Sequence, residues 1–204
     1  MTRLMLICLF LFSGAAFAWQ LQPDVSTLNF ISVKKGSVGE VHRFTQLQGA
    51  IDPAGVATLT IVLAGVDTGI EVRDQRMRDM LFEVAQFPTA SVRAGIDGKA
   101  LAALKPGEQI VQSIKGELTL HGKAAPLNFD AIVTKLADGR ISVISQHPAI
   151  VNAEAFDLVA GIAKLAEAAN LPSISTAVPV TFVLLFMPEA ADKTLQPPSG
   201  LRVQ

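Results

Sequence analysis

The chain has little of what catalysis and metal binding usually require. Its 204 residues include one cysteine, three histidines, one tryptophan and no tyrosine. The lone cysteine, Cys8, lies inside an apolar run, so the chain can build neither a disulfide framework nor a multi-thiolate metal site. His42, His121 and His147 are far apart and lack the tight ligand pairs of zinc sites. There is no G-x-S-x-G nucleophile elbow and no glycine-rich phosphate loop. Carboxylates such as Glu117 and Asp130 carry no mark of an acid/base couple. Charge is also scarce, at 17% of residues with a net of −1. That balance argues against a nucleic-acid partner, which needs a basic surface, and against general attraction to anionic membranes. What the chain has in quantity is apolar side chains, half of all residues, with 11 phenylalanines among them. Nothing here predicts an enzyme, so function has to be argued from what the fold can hold.

The N-terminus reads as a secretory signal peptide over residues 1–18. Arg3 supplies the positive start, residues 4–12 an apolar run too short for a stable membrane-spanning helix, and Ala16-Phe17-Ala18 a small-x-small cleavage site. Cutting after Ala18 leaves 186 residues beginning at Trp19, with 16 basic and 18 acidic side chains. That length suits one domain with a sizeable core. Cys8 leaves with the leader, so the mature chain must be held by its core alone.

From Asp24 onward, period-two alternation dominates. Residues 24–48 read as strand, turn at Lys35-Gly36-Ser37, and returning strand over 41–47. Asp52-Pro53-Ala54-Gly55 is a turn signal. Further strands are predicted over 57–66, 90–96, 110–121, 125–136, 140–146 and 177–187. The period changes twice. Met77, Met80, Leu81 and Val84 stand at i, i+3, i+4 and i+7, which predicts a short helix over 74–84 with Asp74 as its cap. Residues 152–169 predict one longer helix, capped by Asn152 and closed by Asn170 and Pro172. Residues 188–204 show no periodicity and read as a disordered tail. Many short strands with two helical pieces predict a mainly β fold, a closed antiparallel barrel or a sandwich.

The resemblance to a known family rests on several blocks in order. Trp19 with Pro23-Asp24-Val25-Ser26 opens it, followed by Phe44, Leu47 and Gly49. The most specific block is Asp67-Thr68, Arg73-Asp74, Arg78-Asp79, Leu81-Phe82 and Phe87-Pro88. Gly116, then Leu118-Thr119-Leu120-His121-Gly122, then Pro126 complete it. On these residues the chain resembles the YceI-like polyisoprenoid-binding family, over most of residues 19–187. The resemblance implies an eight-stranded antiparallel lipocalin-like barrel with a short lid helix and one longer helix in the C-terminal half. It implies a periplasmic location, a long apolar ligand such as a polyisoprenoid or quinone tail, and no catalytic cofactor; it leaves a homodimer open. The chain departs from the family pattern at Lys34-Lys35, where a histidine usually ends the first strand, and at His42, where a glycine is usual.

Alternation names the candidate inward residues Leu28, Phe30, Phe44, Leu59, Ile61, Leu63, Leu118, Leu120, Phe129 and Phe182. Met77, Met80, Leu81 and Phe82 are candidates for an apolar lid over the ligand. The same residues would equally line a fully packed core, and in that case the barrel would serve as a non-enzymatic interaction module of an envelope complex. His42, Arg73 and Arg78 are the head-group candidates, since arginines clamp phosphates or polarise carbonyls. The alternative for the arginines is an ion-pair network that fixes the loop leading into the lid.

Overall fold

The computed structural model describes residues 19–189, so the expected leader and residues 190–204 of the expected tail lie outside the described residues. Alternating apolar residues, broken at turns, build eight antiparallel strand positions in simple up-and-down order. The first is divided into β1 (Trp19–Leu21) and β2 (Thr27–Lys34) by a turn at Pro23–Val25. The second comprises β3 (Val38–Phe44) and β4 (Leu47–Ile51), and the third β5 (Val56–Val62) and the two-residue β6 (Val66–Asp67). β7 (Thr89–Gly95), β8 (Gln109–Leu120) and β9 (Lys123–Lys135) are unbroken. β10 (Ile141–Ser145) and β11 (Ala149–Asn152) share the seventh position, and β12 (Ala177–Pro188) is the eighth. β12 pairs back onto β1 and β2, from Trp19↔Pro188 to Phe30↔Val180, and the sheet closes into a barrel.

Helices close the two ends. At one end α2 (Gly98–Ala103) is capped by Asp97, whose carboxylate accepts from the Lys99 and Ala100 amides at 3.0 Å. Its Leu101 is driven into the core. At the other end α1 (Glu71–Arg76) runs into a π-helical turn at Met77–Leu81, and α3 (Val159–Ala168) packs over that turn. The approach is close: a Cβ on Gly161 would lie 2.8 Å from the Met80 carbonyl oxygen.

Several boundaries differ from the sequence-based expectation. The second strand starts at Val38 and breaks at Thr45 and Gln46. There the Thr45 amide donates to the Gly65 carbonyl at 2.9 Å and the Val62 amide to the Gln46 carbonyl at 3.0 Å. The lid helix begins at Glu71, and Asp74 is not its cap. The single helix expected over 152–169 is two pieces. Asn152 does cap, but it caps a 3-10 turn at Ala153–Phe156. Asp157 then takes φ 56°, and α3 follows. Phe156 and Leu158 are both buried, and residues two apart cannot face the same side of a continuous helix, so the chain breaks between them. The last strand continues through Pro188, the first residue of the expected tail.

The outer face is not uniformly polar. Val111, Ile132, Ile144 and Val183 stand in register across β8, β9, β10 and β12.

Gly161→Ala tests the seat of α3. Overpacking against backbone should lower stability by about 1–3 kcal/mol, read as a lower urea midpoint with an unchanged denaturant slope.

Candidate functional site: an apolar cavity in the barrel

Inward side chains from all the wall strands meet around a space they do not fill. About 230 Å³ is open to the centre of a water-sized sphere, more than ten times what one water needs by that measure. The reason is side-chain size. Ala57 and Ala94 face each other across β5 and β7, and Ala90 also lines the space, where larger residues would close the lumen. Phenylalanines line much of the rest: Phe30 and Phe44 lie 5.3 Å apart, Phe44 and Phe82 5.9 Å, and Phe129 meets Phe182 edge-on at 5.3 Å. Among the described residues, Thr58 and Gln112 are the only polar residues that line the space, and no charged residue reaches it. The space extends from Leu101 of α2 to Met77, Leu81 and Phe82 of the lid and Leu158 and Ile162 beneath α3.

Of the fourteen residues proposed from sequence for the ligand, thirteen line this cavity; Met80 does not. The π-helical turn is the cause. Its Phe82 amide donates to the Met77 carbonyl at 2.9 Å, five residues back, so Met77 and Phe82 share the inward face. Met80 is turned outward and is 37% exposed. Ala90, Val92 and Ala94 of β7, and Ile96 just after it, were missed, although their alternation carried the signal. Leu101 and Gln112 were missed as well; Leu101 lies on the short α2, and Gln112 sits in an otherwise legible strand as a lone polar residue on the apolar face.

The three head-group candidates do not line the cavity. Arg73 donates to Glu40 Oε2 and to the Thr68 carbonyl at 2.7 Å each, and to Thr68 Oγ1 at 2.8 Å. Asp74 is buried and accepts from the Thr68 amide at 2.9 Å and from its hydroxyl. Arg78 pairs with Glu71 and reaches Gln75, and Arg76 donates to the Ala168 carbonyl at the end of α3. This is the ion-pair network that fixes the loop, and it ties the lid to the barrel and to α3. His42 is buried on β3, its Nε2 2.8 Å from the Ser32 hydroxyl and its ring tilted against Phe30 with centroids 5.1 Å apart. It lies beside Phe30, its register partner on β2, but does not line the cavity. Among the described residues no group of three histidine, cysteine, aspartate or glutamate side chains could hold a metal, and no helix is long and apolar enough to cross a membrane.

The YceI-like domain profile matches residues 19–186. The chain belongs to the YceI-like family. A solved polyisoprenoid-binding domain from Saccharophagus degradans is 42% identical, with a TM-score of 0.83, covering 85% of this chain and 100% of that one. BcnA from Burkholderia cenocepacia is 19% identical with a TM-score of 0.62, covering 81% of this chain and 98% of its own, and shares the fold. No match was found among curated proteins.

In this YceI-like barrel the buried histidine gives folding a defined pH dependence. Burial holds the His42 imidazole below its usual pKa, helped by the nearby Arg73 charge and opposed by Glu40 and Asp74. Above about pH 6.5, the ordinary histidine value, His42 is neutral folded or unfolded and costs nothing. As pH falls through that value the unfolded chain binds a proton that the folded chain refuses, so stability is lost. The melting temperature should therefore fall between pH 7.5 and 5, and His42→Gln should flatten that part of the profile. An equal slope in wild type and variant would exclude His42 as the source.

Proposed function

We propose that this protein binds a long apolar chain, of the polyisoprenoid or quinone-tail kind, within the barrel and carries, stores or protects it in the periplasm, without catalysis. The observation that carries this reading is the cavity: side-chain-free space enclosed by an almost wholly apolar wall that runs from α2 to the lid. A polyisoprenoid is nearly insoluble, and enclosing it yields about 25 cal/mol for each Å² of apolar surface removed from water, against the cost of ordering it. The relation to the Saccharophagus degradans polyisoprenoid-binding domain supports the ligand class. The leader read over residues 1–18 supports export. A packed barrel serving only as a docking module would not need this internal space.

Native mass spectrometry on protein taken from a periplasmic fraction without detergent tests the reading directly. It should show the chain from Trp19 onward with a bound species whose fragments follow an isoprenoid or long-chain series. An unliganded protein that also refuses a polyprenol or quinone would overturn the proposal.

Two variants separate a binding cavity from a core. Ala57→Phe projects a ring into the lumen and should cut uptake of long chains at least tenfold while shorter chains still enter. Phe129→Ala should shift chain-length preference toward longer ligands. If Phe129→Ala only destabilises, by about 3–5 kcal/mol with selectivity unchanged, the residue belongs to a packed core.

A further inference from the structure

Resting on the cavity reading, we propose that Gln112 is the anchor for a neutral, hydrogen-bond-accepting head group, so that the ligand is an apolar chain ending in a carbonyl-type group and its head lies toward the α2 end. Gln112 is the one amide side chain in the wall, on β8 directly opposite Ala131. Its Nε2 is buried and has no hydrogen-bond partner among the described residues. The amide is oriented, because the Asp97 backbone N–H donates to Gln112 Oε1 at 3.4 Å just before α2. That leaves the NH₂ group as the side able to donate. Buried donors are almost always satisfied, and one left unmet inside an apolar site has a ligand acceptor as its natural partner.

The surroundings define the head group further. Ala94, Ile114 and Ala131 form a small buried cluster of their own, with Ala57 paired to Ala94 across the sheet. This is where the wall has the shortest side chains, so a head bulkier than the chain has room. Among the described residues no charged side chain lines the cavity to offset a phosphate, and an ionised group buried without a partner is strongly disfavoured. The lid end offers no alternative, since Arg73, Arg76 and Arg78 already donate to protein groups there. The chemistry points to a ketone, quinone, amide or ester oxygen.

The test compares three probes of similar chain length by displacement of a fluorescent long-chain reporter: geranylgeranylacetone, which ends in a ketone; a branched C20 hydrocarbon with no head; and geranylgeranyl diphosphate. The wild-type protein should bind the ketone about tenfold more tightly than the hydrocarbon, the equivalent of one hydrogen bond, and the diphosphate more weakly than the ketone. Gln112→Leu, which keeps the volume and removes the donor, should retain hydrocarbon binding and lose the tenfold preference; Gln112→Glu should lose it too. Gln112→Leu removes the acceptor of the Asp97 amide, a single hydrogen bond, so its melting temperature should fall by no more than a few degrees. A ketone preference that survives in Gln112→Leu, a diphosphate bound as tightly as the ketone, or a marked loss of stability in Gln112→Leu would each overturn the assignment. Hydrocarbon binding without any preference for the ketone sinks this inference and leaves the cavity reading standing. Failure of both neutral probes to bind sinks the cavity reading, and the head-group assignment falls with it.

Discussion

The hydrogen-bonded return of β12 onto β1 and β2 is the constraint on which the rest of the molecule depends. Once Phe182 pairs with Leu28 and Phe186 with Leu21, the number of strands around the ring is set. With the number set, the lumen has a nearly fixed width. The chain can then alter its interior only through side-chain size, and it places alanine where the wall would otherwise close and phenylalanine where it needs cover. The same closure accounts for how a disulfide-free domain holds together, since a ring pairs the backbone groups that an open sheet would leave exposed at its edges.

Closing the ring leaves two open mouths, and the chain treats them differently. The α2 mouth is stopped by a short capped helix that inserts Leu101. The other mouth is stopped in layers: α1 and the π-helical turn provide the apolar cover, α3 lies on the turn through Gly161, and the arginines tie both to the wall. The charged block from Asp67 to Asp79 is therefore structural. Its exposed ion pairs are individually weak, but the buried Asp74 carboxylate, which accepts two hydrogen bonds from Thr68, makes the loop a defined support for the lid.

How far this could be read from sequence depended on which physical rule governed each stretch. Alternation is enforced wherever one face of a strand is buried, so the inward set from Leu28 to Phe182 was legible and lines one cavity. The family blocks fixed the strand number, which alternation alone left open between barrel and sandwich. What was not legible came from tertiary packing overriding local periodicity. Met80 satisfies a 3.6-residue pattern but lies in a turn of wider pitch. Phe156 and Leu158 are both required by the core, and that requirement splits the helix predicted over 152–169. Asp74 has the composition of a cap but is used by Thr68 from across the loop. Gln112 gave no signal because one glutamine in a strand is unremarkable until its neighbours are known.

An unfilled interior has a thermodynamic consequence. Space left by missing core atoms costs on the order of 24 cal/mol per Å³, so a lumen of this kind weakens the fold by several kcal/mol relative to a packed one. That is a large fraction of the 5–15 kcal/mol by which domains are ordinarily stable. Packing the lumen would have needed only larger residues at positions such as Ala57, Ala90 and Ala94, which the strand geometry does not forbid. The deficit is recovered when an apolar chain occupies the space, because a ligand that binds only the folded state stabilises it in proportion to the logarithm of its concentration over Kd. Stability and occupancy are then one equilibrium. A barrel built this way is least stable when empty, which suits the proposed binding of an apolar chain inside it and not a docking module whose partner binds outside.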